Sequence, residues 1–147
     1  MDAALKHYIE LVTRPTNILV IDDDPAIGHC LEQLQAQFNC CVDVIAAEPK
    51  VIINRIYEKS FDIIFLDADL VSTTQSEILW HLQRQAHVGH VIVMSKSKSN
   101  TVDLNDWIMV IGLLKKPEQP SEQFLAIILQ QLGVKPLVAL PKEFQCH

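Results

Sequence analysis

Short apolar runs that end in polar residues alternate along this chain with segments in which apolar residues recur at helical spacing. The run Asn17 to Asp24 (NILVIDDD) and the run Phe61 to Leu70 (FDIIFLDADL) each lead four apolar residues into carboxylates. Runs of this kind are typical of inner strands in a sheet that is covered on both faces. We predict strands at residues 17–22, 41–46, 62–66, 90–95 and 109–114.

The segments between these strands carry the start signals and the periodicity of helices. Asp24-Pro25 and Glu48-Pro49 each place an acidic residue before a proline at the first helical position. Helices are predicted at residues 2–12, after each of these two signals, at about 75–86, as a short polar helix within 96–105, and from 121 to 132. This order predicts an α/β fold, a doubly wound parallel sheet of five strands in the order 2-1-3-4-5, with an extra N-terminal helix.

Carboxylates follow two of the predicted strands. Asp22 and Asp23 come after the first strand, and Asp67 comes after the third. Because parallel strands present their carboxyl ends at one edge of the sheet, we expect these three side chains to lie close together. Two carboxylates about 4 Å apart repel each other by roughly 4 kcal/mol at an effective dielectric constant near 20. The cluster therefore requires a cation, either a divalent metal ion or a lysine.

Size and charge exclude several classes of function. A chain of 147 residues has the length of one domain, and its net charge of −6 disfavours binding to nucleic acid phosphates. The N-terminal segment has no continuous apolar run, so neither a signal peptide nor a membrane span is predicted. The four cysteines lack CxxC spacing and are interpreted as buried or incidental thiols in a reducing cytoplasm. They are Cys30, Cys40, Cys41 and Cys146.

The chain from about residue 17 to residue 132 resembles the receiver domain of two-component response regulators, which has a flavodoxin-like or CheY-like fold. That family has an acidic pair after strand one, a phosphoacceptor aspartate after strand three, a serine or threonine after strand four, and Lys-Pro after strand five. The matching residues are Asp22 and Asp23 in VIDDDP, Asp67 in FLDADL, Ser95 in VIVMS, and Lys116 with Pro117 in KKP.

The resemblance implies a function for each of these positions. Asp67 accepts a phosphoryl group from a phosphohistidine donor, and Ser95 and Lys116 contact the phosphoryl oxygens. Mg²⁺ is held by the carboxylates of Asp22, Asp23 and Asp67 and by the backbone carbonyl of Asp69. The bond before Pro117 is typically cis in this family.

The resemblance also suggests an organisation and a set of partners. Residues 1–16 form an N-terminal helical appendage, 17–133 the receiver domain, and 134–147 a C-terminal tail. The chain is then a cytoplasmic, single-domain response regulator of a phosphorelay and not an enzyme. Its donor is a histidine kinase or a histidine phosphotransfer protein. Its output is binding of a downstream protein. The binding face consists of the helix predicted within Lys96 to Trp107, the last strand and the last helix. Neither nucleic acid nor a membrane is expected as a partner. A homodimer is compatible with this function.

Several positions depart from the family pattern. Leu70 and Val71 replace the usual Met-Pro pair, and Gln75 stands where a glycine is common. Lys96 follows the serine where a small residue is usual, and Leu113 replaces the aromatic switch residue. These departures favour an alternative, a pseudo-receiver that keeps the fold and binds partners without phosphorylation.

A second alternative comes from another class, the haloacid-dehalogenase-like phosphatases. FLDADLV fits their first motif, with Asp67 as nucleophile and Asp69 as acid and base, and Ser95 and Lys116 would serve as their second and third motifs. Those enzymes place an acidic metal motif after the lysine and carry a cap, and this chain has neither that motif nor room for a cap. The receiver interpretation is therefore preferred.

Other residues receive structural interpretations. Asp24 is expected to cap a helix, Lys115 to be a surface charge, and Trp80 and Trp107 to be packing residues. The six histidines share no ligand spacing and are assigned to no metal.

Overall fold

A five-stranded parallel sheet forms the centre of the computed structural model, which describes residues 2–69, 72–85, 89–96, 110–117 and 119–137. The strand order is β2-β1-β3-β4-β5, as the sequence predicted. Each strand boundary lies within one residue of the predicted one. The strands are β1 Thr16–Ile21, β2 Cys40–Ile45, β3 Ile63–Asp67, β4 His90–Ser95 and β5 Val110–Lys115.

Helices connect the strands and precede the first one. They are α1 Ala3–Thr13, α2 Pro25–Leu34, α3 Pro49–Glu58, α4 Ser72–Gln83 and α5 Glu122–Gln131. The prediction for α4 was wrong at its start, because the helix begins at Ser72 and not near Gln75. Its first turn is entirely polar, so apolar periodicity could not mark it. The short helix was predicted within 96–105. All of this range except residue 96 belongs to residues 97–109, which lie outside the described part.

The sheet is covered on both faces, as the apolar strands predicted. Alternate residues of β1 point to opposite sides and are fully buried. Ile18 and Val20 pack in the core beneath α2 and α5, whereas Leu19 and Ile21 pack in the core beneath α3 and α4. This double coverage buries the strands up to the carboxyl edge of the sheet, and that edge carries the polar residues discussed below.

The chain beyond α5 continues into the packed structure. Gly133 takes a positive φ of 81°, and Val134 N–H donates to the carbonyl of Leu129 at 3.0 Å, which closes the helix in a Schellman motif. Val134 is buried in the core. Residues 135–137 then run antiparallel to residues 37–39, with hydrogen bonds from Asn39 N to Lys135 O and from Leu137 N to Gln37 O. The start of the segment predicted as a tail is thus part of the fold.

The extra N-terminal helix is present as α1. Asp2 caps it by accepting a hydrogen bond from Ala4 N at 3.0 Å. Leu5 and Tyr8, two large apolar residues of this helix, are both exposed. In the described residues, no helix combines the length and the apolar character that a membrane span needs.

Candidate functional site

Four polar side chains come together at the carboxyl edge of the sheet. Asp22 follows β1, Asp67 ends β3, Ser95 ends β4 and Lys116 follows β5. In the described part of the chain, these four are the only buried residues with polar or charged side chains. The fold therefore removes from water four of the residues that the sequence selected for chemistry.

An ammonium group joins the two buried carboxylates. Lys116 Nζ lies 2.8 Å from Asp22 Oδ2 and 3.1 Å from Asp67 Oδ1. The three side chains are only 3%, 1% and 9% exposed, in the order Lys116, Asp22, Asp67. Lys116 N also donates to the carbonyl of Ser95 at 2.8 Å, which ties the end of β5 to the end of β4. The acidic cluster was predicted to need a cation, either a metal ion or a lysine, and Lys116 supplies one.

Backbone groups fix the direction of both carboxylates. Asp22 Oδ1 accepts a hydrogen bond from Asp24 N at 2.9 Å, and Asp67 Oδ1 accepts one from Asp69 N at 2.9 Å. Each contact spans two residues, the geometry of an Asx-turn. Asp22 Oδ2 is buried and, apart from the ammonium at 2.8 Å, has no hydrogen-bond partner among the described residues. This oxygen retains capacity for a further cation.

Burial and charge shift the proton affinities of the cluster. Desolvation raises the pKa of Asp22, against the opposing hydrogen bonds from Lys116 and from Asp24 N, and Asp67 adds to the rise. For Lys116, burial disfavours the ammonium, but the hydrogen bonds and charges of Asp22 and Asp67 outweigh it and raise its pKa. The lysine is therefore held in its charged form at neutral pH.

Asp23, the second acid of the predicted pair, forms its hydrogen bond outside the buried cluster. It is exposed, and its Oδ1 accepts a hydrogen bond from Ala47 N at 2.9 Å, in the loop after β2. Adjacent residues point in different directions as the chain leaves a strand, so the two acids of the pair separate. As a result, no group of three or more His, Cys, Asp or Glu residues is arranged to hold a metal ion within the described residues.

The donor set nevertheless suits a hard cation. Asp22 and Asp67 supply carboxylate oxygens, which Mg²⁺ prefers, and Oδ2 of Asp22 contacts the Lys116 ammonium but has no second hydrogen-bond donor among the described residues. Asp23 and the backbone carbonyl of Asp69 lie in the adjoining loops. Release of Asp23 from Ala47 would add a further carboxylate.

The rim of the site carries an ion pair that the sequence did not predict. Lys96 Nζ lies 3.5 Å from Asp24 Oδ2. Asp24 also caps α2 as predicted, because its Oδ1 accepts a hydrogen bond from Ala26 N at 3.1 Å. That bond and the charge of Lys96 lower the pKa of Asp24, against the opposing effect of burial. Lys96 is next to Ser95 and Asp24 is two residues from Asp22, and this closeness in sequence is the feature from which the ion pair could have been predicted.

Other predicted details can also be compared with the structure. Lys116 faces inward and Lys115 is exposed, as expected. The cis bond that the resemblance implied before Pro117 is not found, since no peptide bond within the described residues is cis. Trp80 was interpreted as a packing residue, yet it is 47% exposed. The predictions for Leu70, Val71 and Trp107 and for the side chains of Gln75 and Leu113 lie outside the described part.

Comparisons with known proteins agree with this architecture. The family model of the response regulator receiver domain matches residues 18–128. No curated protein matches the chain in sequence. A CheY-like response regulator receiver domain from Methylobacillus flagellatus has a TM-score of 0.62 at 18% identity, over 80% of this chain and 98% of that one.

Two further solved structures show the same fold. The signal receiver domain of an HD domain-containing protein from Pseudomonas fluorescens Pf-5 has a TM-score of 0.64 at 18% identity, over 80% of this chain and 94% of that one. The response regulator TrrA from Thermotoga maritima, solved in complex with Mg²⁺ and BeF, has a TM-score of 0.57 at 19% identity, over 80% of this chain and 98% of that one. Since the family model spans most of its length, the chain belongs to the response regulator receiver domain family.

Proposed function

We propose that the protein accepts a phosphoryl group on Asp67 and transmits the signal by binding another protein. The donor is a phosphohistidine of a histidine kinase or of a histidine phosphotransfer protein in the cytoplasm. The observation that carries the proposal is the buried ammonium of Lys116, 2.8 Å from Asp22 and 3.1 Å from Asp67, at the carboxyl edge of the sheet. Membership of the receiver family supports phosphorylation of an aspartate in general.

The proposed transfer step uses the side chains of the buried cluster. A carboxylate oxygen of Asp67 attacks phosphorus, the phosphorus–nitrogen bond of the donor breaks, and the imidazole leaves with the electron pair and takes a proton from water. The product is an acyl phosphate. Lys116, 3.1 Å from Asp67 Oδ1, stabilises negative charge on a phosphoryl oxygen, and the hydroxyl of Ser95 donates to another.

The carboxylates at this edge would hold Mg²⁺. Asp22 and Asp67 would bind it directly, with the carbonyl of Asp69, and Asp23 would join after its hydrogen bond to Ala47 N is broken. When bound, Mg²⁺ supplies positive charge that offsets the phosphoryl oxygens and the carboxylates.

The output in this proposal is a protein contact and not catalysis. β5 lies next to β4, so a change at Ser95 or Lys116 reaches that edge of the sheet directly. Ile127 on α5 is an exposed large apolar residue and is suited to contact a partner. We place the downstream target on the face that contains β5 and α5, and we assign no turnover of other substrates to the chain.

Intact-mass measurement after incubation with acetyl phosphate and Mg²⁺ tests the proposal. The wild type should gain one phosphoryl adduct, and Asp67→Asn should gain none. Asp69→Asn is the matched control, because Asp69 is an exposed acid two residues away, and it should still be phosphorylated. An adduct of equal yield on Asp67→Asn would refute the assignment.

The pseudo-receiver is the second candidate, and two contacts favour it. Asp23 is engaged by Ala47 N at 2.9 Å, and Lys96 pairs with Asp24 at 3.5 Å on the rim. A wild type that binds Mg²⁺ but gains no adduct supports this candidate. The family match gives no support to the phosphatase alternative, which steady release of phosphate from generic monoesters would revive.

A further inference from the structure

The outward face of α4 carries exposed aromatic surface between charges of opposite sign. Trp80, His81 and Arg84 lie three, four and seven residues after Glu77, so the four share one side of the helix and of the turn that ends it. The other side, with Ile78, Leu79 and Leu82, is buried in the core. Trp80 is 47% exposed, which is a large apolar area to leave in water.

Neighbouring side chains hold this face in a fixed arrangement. The guanidinium carbon of Arg84 lies 4.5 Å from the centre of the Trp80 ring, a cation–π contact. The His81 ring packs edge-on against Trp80 with ring centres 4.9 Å apart, and His81 Nδ1 lies 2.8 Å from the hydroxyl of Tyr57 on α3. Ordered aromatic and arginine side chains lose little entropy on binding, so they are suited to an interface.

The two charges on this face are not neutralised within the described residues. Neither Glu77 nor Arg84 forms an ion pair with another described residue. The two residues are separated by about 10 Å along the axis at 1.5 Å per residue, with Trp80 between them. The face is thus acidic at one end, aromatic in the middle and basic at the other end.

We propose that this face binds the same face of a second copy of the chain. Two α4 helices packed antiparallel around a twofold axis bring Glu77 of each copy to Arg84 of the other and place the two Trp80 rings near the axis. A twofold interface pairs a surface with a copy of itself, so the surface must be complementary to itself. With the order acid, aromatic, base, opposite charges face each other only when the two helices are antiparallel. The proposal does not rest on phosphorylation of Asp67, because none of these residues belongs to the buried cluster.

Sedimentation velocity from roughly 1 µM to 1 mM protein tests the proposal, since this range covers weak dimers. The wild type should associate reversibly. Glu77→Arg and Arg84→Glu should each weaken association by more than about tenfold, because each creates two like-charge contacts in a symmetric interface. The double variant Glu77→Arg/Arg84→Glu should associate more tightly than either single variant. Glu32→Arg, an exposed acid on α2, is the matched control and should behave as the wild type.

Three results would overturn this proposal. The first is a wild type that stays monomeric over the whole range. The second is a double variant that associates no better than the single variants. If the charges pair between copies, exchanging both of them restores the ion pairs and the effects of the two substitutions are not additive. The third is an equal loss of association in Glu32→Arg, which would place the contact on another face.

Discussion

The two ends of the central sheet each bring acidic and basic side chains together, but in opposite surroundings. At the carboxyl end, Lys116 is 3% exposed and pairs with Asp22 and Asp67 at 2.8 and 3.1 Å. At the amino end, Arg14 pairs with Asp62 at 3.5 Å, and these side chains are 66% and 41% exposed. Asp62 also accepts a hydrogen bond from Asn17 N at 2.8 Å, which fixes the entry to β1.

The two ion pairs differ in what they can contribute to stability. An exposed ion pair keeps most of its hydration and contributes about 0–1 kcal/mol to stability. Buried charges lose their hydration, and a well-packed apolar replacement of a whole buried pair is often as stable or more stable. Folding therefore gains little from the carboxyl-end cluster, and the chemistry proposed for Asp67 would give a physical reason for its presence.

The largest effect should follow removal of the buried ammonium. Lys116→Met leaves Asp22 and Asp67 facing each other without a cation, so we expect a loss of about 3–5 kcal/mol in the free energy of unfolding. Urea denaturation in the absence of Mg²⁺ measures it. Lys115→Met, the exposed neighbour, should stay within about 0.5 kcal/mol of the wild type. Equal stability of the two variants would mean that the ammonium does not balance the carboxylates.

Mg²⁺ should stabilise the folded protein through the carboxylates at the carboxyl end of the sheet. A substitution at the amino end should leave that gain in stability unchanged. At a metal concentration of 100 times the dissociation constant, linkage adds about 2.7 kcal/mol to the free energy of unfolding. Thermal unfolding with and without Mg²⁺ should show this gain in the wild type and lose it in Asp22→Asn. Asp62→Asn should keep the full gain, and a gain retained by Asp22→Asn would exclude the proposed site.

A smaller effect on stability should appear at the carboxyl end of the sheet when the pH is changed. The pKa of Asp22 is raised above 3.8, so the folded state holds this proton more tightly than the unfolded state. Stability of the metal-free wild type should therefore fall relative to Asp22→Asn as the pH rises from 3.8 through the raised folded pKa. At neutral pH, the variant should be at least as stable as the wild type. Denaturant midpoints measured across this window check the sign, and a wild type that gains on the variant would contradict it.

The smallest effect is expected at the amino end. Arg14→Ala removes the exposed pair and should cost less than about 1 kcal/mol, and added salt should reduce that cost further. Asp62→Ala should cost more, because Asn17 N then loses its acceptor. Equal costs for the two variants would show that the ion pair, and not the backbone hydrogen bond, secures the start of β1.

Most of the fold could be predicted from the sequence because buried strands appear in it as continuous apolar runs. The apolar runs before Asp22 and Asp67 located β1 and β3 to within one residue, and parallel topology then brought the two acids to one edge. These inferences need only local pattern and strand order. The position of Lys116 after β5 came instead from the resemblance to the Lys-Pro motif of the receiver family.

Features that depend on tertiary contacts could not be predicted in the same way. The hydrogen bond from Ala47 N to Asp23 joins loops after two different strands, and no local pattern encodes it. The ion pair of Lys96 with Asp24 has the same origin. Trp80 looked like a packing residue because its type is usually buried, and its exposure follows from its position on the outward face of α4.

The most direct test of the central claim is chemical location of the phosphoryl group. Borohydride reduces an acyl phosphate of aspartate to homoserine, so treatment of the phosphorylated protein followed by peptide mass spectrometry identifies the residue that carried the phosphate. We predict homoserine at position 67 and at no other acidic residue. Homoserine at Asp22, Asp23 or Asp69, or its absence from a protein that has gained the phosphoryl mass, would contradict the account.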